Sequence, residues 1–347
     1  MTPQKRQASS SSLSNPKSFF RDLWRYFPIW FVYLMGIGLM HYEIANVPPA
    51  RYQQAGHDPR WFAAMVVIPM AWVALAHWFR LKKESDGGFL KRYLILIGSL
   101  LGVAALIYIG HRDKYLSTDR MVTIYEVSQF VWLSVMVVHA WFFGGKHRVV
   151  TFFLVCLLYG LMLENAGIIF GFFGESHYRL YLGYGGFKLP APIATQLGWA
   201  IMFYVCIFIA ELIGDQVRFL RKSAIRMALF TSLMATSLDL QIDPMASLSG
   251  VWWSWNPNLP PWFLGVPFLN FAAWFVAFLP FCYFYFKMRR NEALTDGERN
   301  KELLLRVPWM FPLALLIGYP LIILRQGGFN GPEVEIFKEF LRRFLPY

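Results

Sequence analysis

Long apolar windows separated by short charged runs set the pattern of this chain. Runs such as RLKKES at 80–85, RFLRKSAIR at 218–226 and KMRR at 287–290 hold much of the charge. Between the runs lie stretches of about 20 residues with few ionisable groups. This spacing predicts nine helices, at 27–43, 61–79, 93–111, 122–143, 149–170, 192–214, 224–241, 265–287 and 305–325. At about 1.5 Å rise per residue most of them match a hydrocarbon layer of about 30 Å, while the first and seventh are short enough to tilt or kink. The expected fold class is all-α: a polytopic membrane protein with about eight or nine transmembrane helices plus interfacial or re-entrant segments. KSFFRDLWRYFP at 17–28 alternates basic with aromatic residues and reads as an interfacial helix. EVEIFKEFLRRFL at 333–345 reads as amphipathic, with Ile336, Phe337, Phe340, Leu341 and Phe344 on one side. The organisation expected is a polar tail and interfacial segment at 1–26, one transmembrane domain at 27–325 and an amphipathic C-terminal segment at 326–347.

Composition narrows the class. Of 347 residues 56% are hydrophobic and only 16% charged, against about 45–50% and about 25% in soluble domains. That excludes a compact water-soluble protein, and so much apolar surface excludes disorder over most of the chain. The net charge of +12 would suggest nucleic acid by itself. Confined to loops between apolar helices, it instead fits membrane lipids, and no nucleic-acid partner is expected. Two-thirds of the 33 Lys and Arg fall in the N-terminal tail and the loops after the even-numbered helices. The expectation is therefore a multi-pass cell-membrane protein with a cytoplasmic N-terminus. No cleavable signal peptide is expected in the Ser-rich first 18 residues. Cys156, Cys206 and Cys282 lie in apolar windows without CxxC or His pairing, so they read as small buried hydrophobes rather than a disulfide or metal set.

Candidate chemistry gathers at one end of the predicted bundle. The connections 171–191 and 244–264 are rich in Gly, Pro and aromatic rings, and the second has no charged residue. Both suit caps over a cavity for an apolar substrate. Acids inside apolar windows are functional candidates by default. Glu126, Glu164, Asp239 and Asp243 fall at one leaflet level; Glu211 and Asp215 lie at the other beside Arg218, where an ion-paired helix end is the simplest reading. Asp239 and Asp243 are one turn apart, just before Pro244, which is expected to stop the helix. Two carboxyls in low dielectric favour a shared proton, and so a protonated acid beside an ionised partner. That is what protonating an alkene requires. Glu164 and Asn165 precede Gly167, Gly171 and Gly174; the first two glycines form a GxxxG suited to close helix approach, and His177 and Tyr178 could reach the same space. There is no HExxH, histidine set at iron-ligand spacing, GxGxxG, Walker A or CxxCH, and His41, His77, His111, His139 and His147 are scattered singly. The chemistry expected is acid–base work with no cofactor and no metal.

Four stretches together carry a resemblance: ENAGIIFGFFGESHY at 164–178, LPAPIATQLGWAIMFY at 189–204, SLDLQIDP at 237–244 and WWSWNPNLPPWFLGVPFLNFAAWFV at 252–276. They resemble the carotenoid-biosynthesis integral membrane family that contains the carotenoid 1,2-hydratases, over roughly residues 120–290. The matching positions are Glu164, Gly167, Gly171, Gly174, Tyr178, Trp199, Asp239, Asp243, Pro244, Trp255, Gly265, Val266, Pro267, Asn270 and Trp274. The cap before the sixth helix reads FKLPAPIATQLGW where the family reads closer to GVPxxxPxxW. The resemblance implies a lyase that adds water across the terminal C1–C2 double bond of an acyclic carotenoid through a tertiary cation. Its partners would be a long polyene or isoprenoid substrate, water and membrane lipids. It implies Asp239 as the acid, Asp243 as the group that holds the shared proton or positions water, and Glu164 with Asn165 as the pair that orients that water or restores the proton. Tyr178, Trp199, Trp252, Trp253, Trp255, Asn270 and Trp274 would bind substrate or stabilise the cation. A cyclase or isomerase beginning with the same protonation, and a transporter or lipid-binding protein, are the alternatives.

Overall fold

The computed structural model describes residues 16–46, 60, 63–84, 87–111, 118–249 and 252–344. The polar tail at 1–15, residues 250 and 251 of the second cap, and the side chains of His41, His111, Phe340, Leu341 and Phe344 lie outside the described residues. The helices run α1 (Pro16–Arg25), α2 (Phe27–Asn46), α3 (Ile68–Glu84, after a π-helical turn Ala63–Val67), α4 (Phe89–His111) and α5 (Thr118–Val150). Next come α6 (Cys156–Ile169, after a π-helical turn Thr151–Val155), strands β1 (Phe173–Ser176), β2 (Tyr181–Tyr184) and β3 (Phe187–Pro192), α7 (Ile193–Gly214), the short α8 (Arg218–Arg221) and α9 (Ala224–Ser249). The chain ends with β4 (Trp253–Trp255), β5 (Pro261–Phe263), β6 (Val266–Pro267), α10 (Phe268–Arg289), α11 (Asp296–Gln326) and α12 (Pro332–Phe344).

Each of the nine predicted helices coincides with one of these. Among the described residues six helical stretches are long and apolar enough to cross a membrane: Ala63–Glu84, Phe89–Leu106, Asp119–Ile169, Ile193–Gly214, Phe268–Arg289 and Asp296–Gln326. α9 falls short because Thr231, Ser232, Thr236, Asp239, Gln241 and Asp243 dilute its hydropathy. The stretch Asp119–Ile169 has 51 residues, about 76 Å if straight, more than twice the hydrocarbon thickness. Gly145 breaks it at φ 69 and ψ −175, a conformation that favours glycine and lets the chain turn there.

α7 is the hub. It packs against α2, α3, α5, α6 and α9, and its residues Ile201–Cys206 are buried by those neighbours. α9 lies along α10, and α10 along α11. α4 is peripheral, exposing Leu94, Ile95, Leu101 and Leu106, as a lipid-facing helix does. α11 starts at a capping box in which the Thr295 hydroxyl accepts from the Glu298 N–H and Glu298 accepts from the Thr295 N–H. The amphipathic segments expected at both ends are helices, α1 and α12.

Two local expectations are corrected. Pro244 does not stop the seventh helix; α9 continues through it to Ser249. A proline removes one N–H and frees the carbonyl four residues earlier, a local defect that membrane helices absorb. Gly167 and Gly171 do not form a helix-packing pair, since α6 ends at Ile169 and Gly171 sits beyond it at φ 77.

The two Gly, Pro and aromatic connections join each other. β1 pairs antiparallel with β4, Phe173 opposite Trp255 and Ser176 opposite Trp253. The Asn256 amide donates to the Gly171 carbonyl at 2.6 Å and the Asn256 N–H to the Phe172 carbonyl at 3.1 Å. β2 pairs with β3, and β5 with β6. The chain between α6 and α7 and the chain between α9 and α10 thus make one cap over the ends of four helices.

Candidate active site

Beneath this cap a cleft with about 1130 Å³ of unfilled space, counting its mouth, opens among α6, α7, α9, α10 and α11. Most of its wall is apolar, from Met202 and Ile242 to Phe170 and Phe311. The acidic groups on it, Glu164 and Asp243, come from different helices.

α9 places Asp239 and Asp243 on one face, one turn apart, against the first turns of α10. There the Asn270 amide donates to Oδ2 of Asp239 at 2.9 Å and to Oδ2 of Asp243. One NH₂ group carries two hydrogens, so Asn270 clamps both carboxyls at once. All three residues are buried, and Asp239 Oδ1 has no hydrogen-bond partner among the described residues. Asp243 and Asn270 line the cleft, whereas Asp239 stands behind them. Asn270, expected to touch substrate, is thus committed to the acid pair as well.

Glu164 reaches the cleft from α6. A Cβ on Gly160 would lie only 2.6 Å from Cβ of Trp199, so the glycine permits the contact of α6 with α7. One turn further along α6, the Trp199 indole N–H donates to Glu164 Oε2 at 2.8 Å. Trp199 stacks on Trp274 with centroids 4.7 Å apart and an interplanar angle of 29°. Both indoles line the cleft, so an aromatic wall runs from the Glu164 side toward α10.

Several expected site residues stand elsewhere. The Asn165 amide donates to the Leu161 carbonyl at 2.7 Å, and its oxygen accepts from the Ala191 N–H at 3.0 Å. It ties β3 to α6 and is not on the cleft wall. Trp253 lines the cleft. Trp252 and Tyr178 pack behind it with Met121, Val122 and Ala194, and Trp255 stacks on Phe173 at 5.2 Å within the cap. His177 is exposed and bonds through its backbone to Trp252. Glu126 is a structural staple: its Oε1 accepts from the Arg179 and Leu180 N–H groups at 2.8 and 2.9 Å. No ion pair joins Asp215 to Arg218 among the described residues; Glu211 binds Arg148 and Arg289 across helices and accepts from the Tyr285 hydroxyl at 2.6 Å.

The structure adds wall residues that the sequence reading passed over. Tyr125 of α5 faces the cleft and stacks near Tyr178 and Trp252, at 5.8 and 5.2 Å. Ala314 and Gly318 of α11 line the far wall, and Phe337 of α12 reaches it. The small pair four residues apart on α11 was a readable sign of close approach.

No group of three or more His, Cys, Asp or Glu among the described residues could hold a metal ion. No curated protein and no solved structure matches the chain. The family described as carotenoid biosynthesis protein matches residues 124–323. That match runs from the second turn of α5 to near the end of α11 and takes in every cleft residue except Phe337. It spans more than half of the 347 residues. A greasy cleft with an acid pair at its wall thus lies within the matched region, and the chain belongs to the carotenoid biosynthesis protein family.

Proposed function

We propose that the cleft adds water across the terminal C1–C2 double bond of an acyclic carotenoid end group. The observation that carries this reading is the buried Asp239–Asp243 pair clamped by Asn270, with one member on the wall of an apolar, aromatic-lined cleft. A buried carboxyl pair that shares one proton keeps a proton donor at the cleft wall without a cofactor. In this reading the roles implied by the resemblance are exchanged. Asp243 delivers the proton, because it lines the cleft, and Asp239 holds the shared charge behind it.

The step balances. The O–H bond of Asp243 breaks, the alkene π pair forms C2–H, and C1 becomes a tertiary cation facing the indole rings. A water held on the Glu164 side forms the C1–O bond, its proton passes to Glu164, and proton exchange through water restores the acid pair. Water is consumed and no redox equivalent is needed. Asn165 supports Glu164 by fixing the adjoining turn to β3; Tyr178, Trp252 and Trp255 support Trp253 and the cap rather than touching the end group.

The test is incubation of membranes carrying the protein with lycopene or γ-carotene in H₂¹⁸O, followed by mass spectrometry. Hydration requires ¹⁸O at C1 and, in D₂O, one deuterium at C2. Asp243→Asn and Asp239→Asn should each lower turnover by about 10²–10⁴-fold. A product of unchanged mass with a new ring would move the activity to a cyclase. Full activity in both variants would remove the acid pair from the mechanism.

A further inference from the structure

The end of the bundle opposite the cleft holds a second, polar pocket of about 780 Å³ counting its mouth, lined by residues of α5, α10 and α11. Arg148, Arg289 and Arg299 converge on it with Asn300, Thr151 and His147. It takes no part in the chemistry proposed above.

The arginines are built in. Arg148 donates to Glu211 at 2.7 Å and packs over the rings of Phe152 and Tyr204, each 5.6 Å away. Arg289 binds the other oxygen of Glu211. Arg299 donates to Asp296 at 2.8 Å and to the Asn291 carbonyl at 3.0 Å. Asn300 is fixed between the His147 carbonyl, to which it donates at 2.8 Å, and the Thr151 hydroxyl, from which it accepts at 2.5 Å. Three guanidiniums therefore face two carboxylates. Each guanidinium offers five N–H donors, and the Nε groups of Arg148 and Arg299 are buried without a partner among the described residues. The pocket has a surplus of positive charge and a larger surplus of N–H donors.

We propose that this pocket binds a phosphate group. A tetrahedral, multiply charged oxyanion can accept from three guanidiniums at once and offers more acceptor oxygens and more charge than a carboxylate or a halide. Its place at the helix ends, beside Lys287, Arg290 and Lys301 in the basic runs of the sequence, puts it where a phospholipid headgroup or a soluble phosphate ester would meet the protein.

The experiment uses the full chain purified in a neutral detergent. Thermal unfolding is followed against inorganic phosphate and pyrophosphate, with chloride at matched ionic strength as background. In parallel, delipidated protein is offered phosphatidylglycerol or phosphatidylcholine and retained lipid is read by native mass spectrometry. The wild type should show saturable binding, weakened about tenfold in Arg299→Gln and in Arg148→Gln, and unchanged in Arg342→Gln, which removes one exposed charge outside the pocket. Response to the ions without lipid preference identifies a soluble phosphate ester; retention of phosphatidylglycerol without response to the ions identifies a headgroup. If Arg148→Gln fails to fold because Glu211 loses a partner, Arg299→Gln carries the comparison, since its partners are local to one loop and turn. No saturable response to any probe, or equal weakening in Arg342→Gln, overturns the proposal.

Discussion

Asn270→Ala probes the acid pair most directly. The substitution removes two hydrogen bonds, to Asp239 Oδ2 at 2.9 Å and to Asp243 Oδ2, and little else that the fold requires. With one proton shared across the pair, one of these bonds goes to a charged oxygen and one to a neutral carboxyl. Hydrogen bonds to charged groups are worth about 1.5–3 kcal/mol and ordinary ones about 0.5–1.5 kcal/mol. The resting protein should therefore lose about 2–4.5 kcal/mol. Once Asp243 gives up the shared proton both carboxyls are charged, and both bonds from Asn270 become charge-assisted. The transition state leans on Asn270 more than the resting state does, by up to the difference between the two kinds of bond, about 1–2 kcal/mol. Turnover should accordingly fall by about 5–30-fold at saturating substrate. The assay pairs labelled-product mass spectrometry with thermal unfolding of the same preparation. A folded variant that loses stability yet turns over within about twofold of wild type would refute the reasoning, since the clamp would then be structural alone.

Glu164→Gln should separate protonation from water capture: hydrated product falls by at least about tenfold, while deuterium exchange into recovered substrate in D₂O persists, and loss of both in parallel would count against the assignment. Gly174→Ala places a Cβ 2.6 Å from Ser254 Oγ and 3.0 Å from the Trp255 carbonyl, and should destabilise the cap by about 1–3 kcal/mol, read as a lower unfolding midpoint. Glu333→Ala should cost about 2–4 kcal/mol, because Glu333 is buried and accepts from the Leu269 N–H at 3.0 Å and the Gln326 amide at 2.9 Å; a midpoint unchanged from wild type would show that α12 is not anchored this way. Cysteines placed singly at Lys91 and Glu292 should be labelled from the same side of the membrane, with little background from the buried Cys156, Cys206 and Cys282; labelling from opposite sides would overturn the charge-based topology.

What could be read in the sequence, and what could not, follows the range of the interactions involved. The i, i+4 spacing of Asp239 and Asp243 is a local fact, and helix geometry alone puts both on one face. Their clamp is not local: Asn270 lies on another helix, and only the packing of α9 along α10 turns its amide toward them. Glu126 shows the opposite failure. An acid in an apolar window is legible, but the N–H groups of Arg179 and Leu180 that satisfy it arrive from a loop more than 50 residues away. Pro244 was read by a rule for soluble helices, where a freed carbonyl must find water. Phe337 was legible as part of an amphipathic face, yet nothing local said that the face would cover the cleft.

The same distances bear on why hydration and cyclisation would diverge on one scaffold. Both begin with the same cation, so the outcome depends on which electron pair stands nearest C1. Asp243 and Asn270 sit on the α9–α10 side of the cleft and Glu164 on the α6–α7 side, which separates the proposed proton source from a site that could hold water. Between them the wall is indole and phenyl, which can stabilise a cation but cannot quench it. A cyclase built on this frame would need an apolar residue at Glu164, so that the substrate's own next double bond became the nearest nucleophile. Under the proposed function, Glu164 rather than the acid pair would therefore be where the choice between the two reactions is set. The Gly160 contact that brings Trp199 alongside it fixes the carboxylate that would make water the winner.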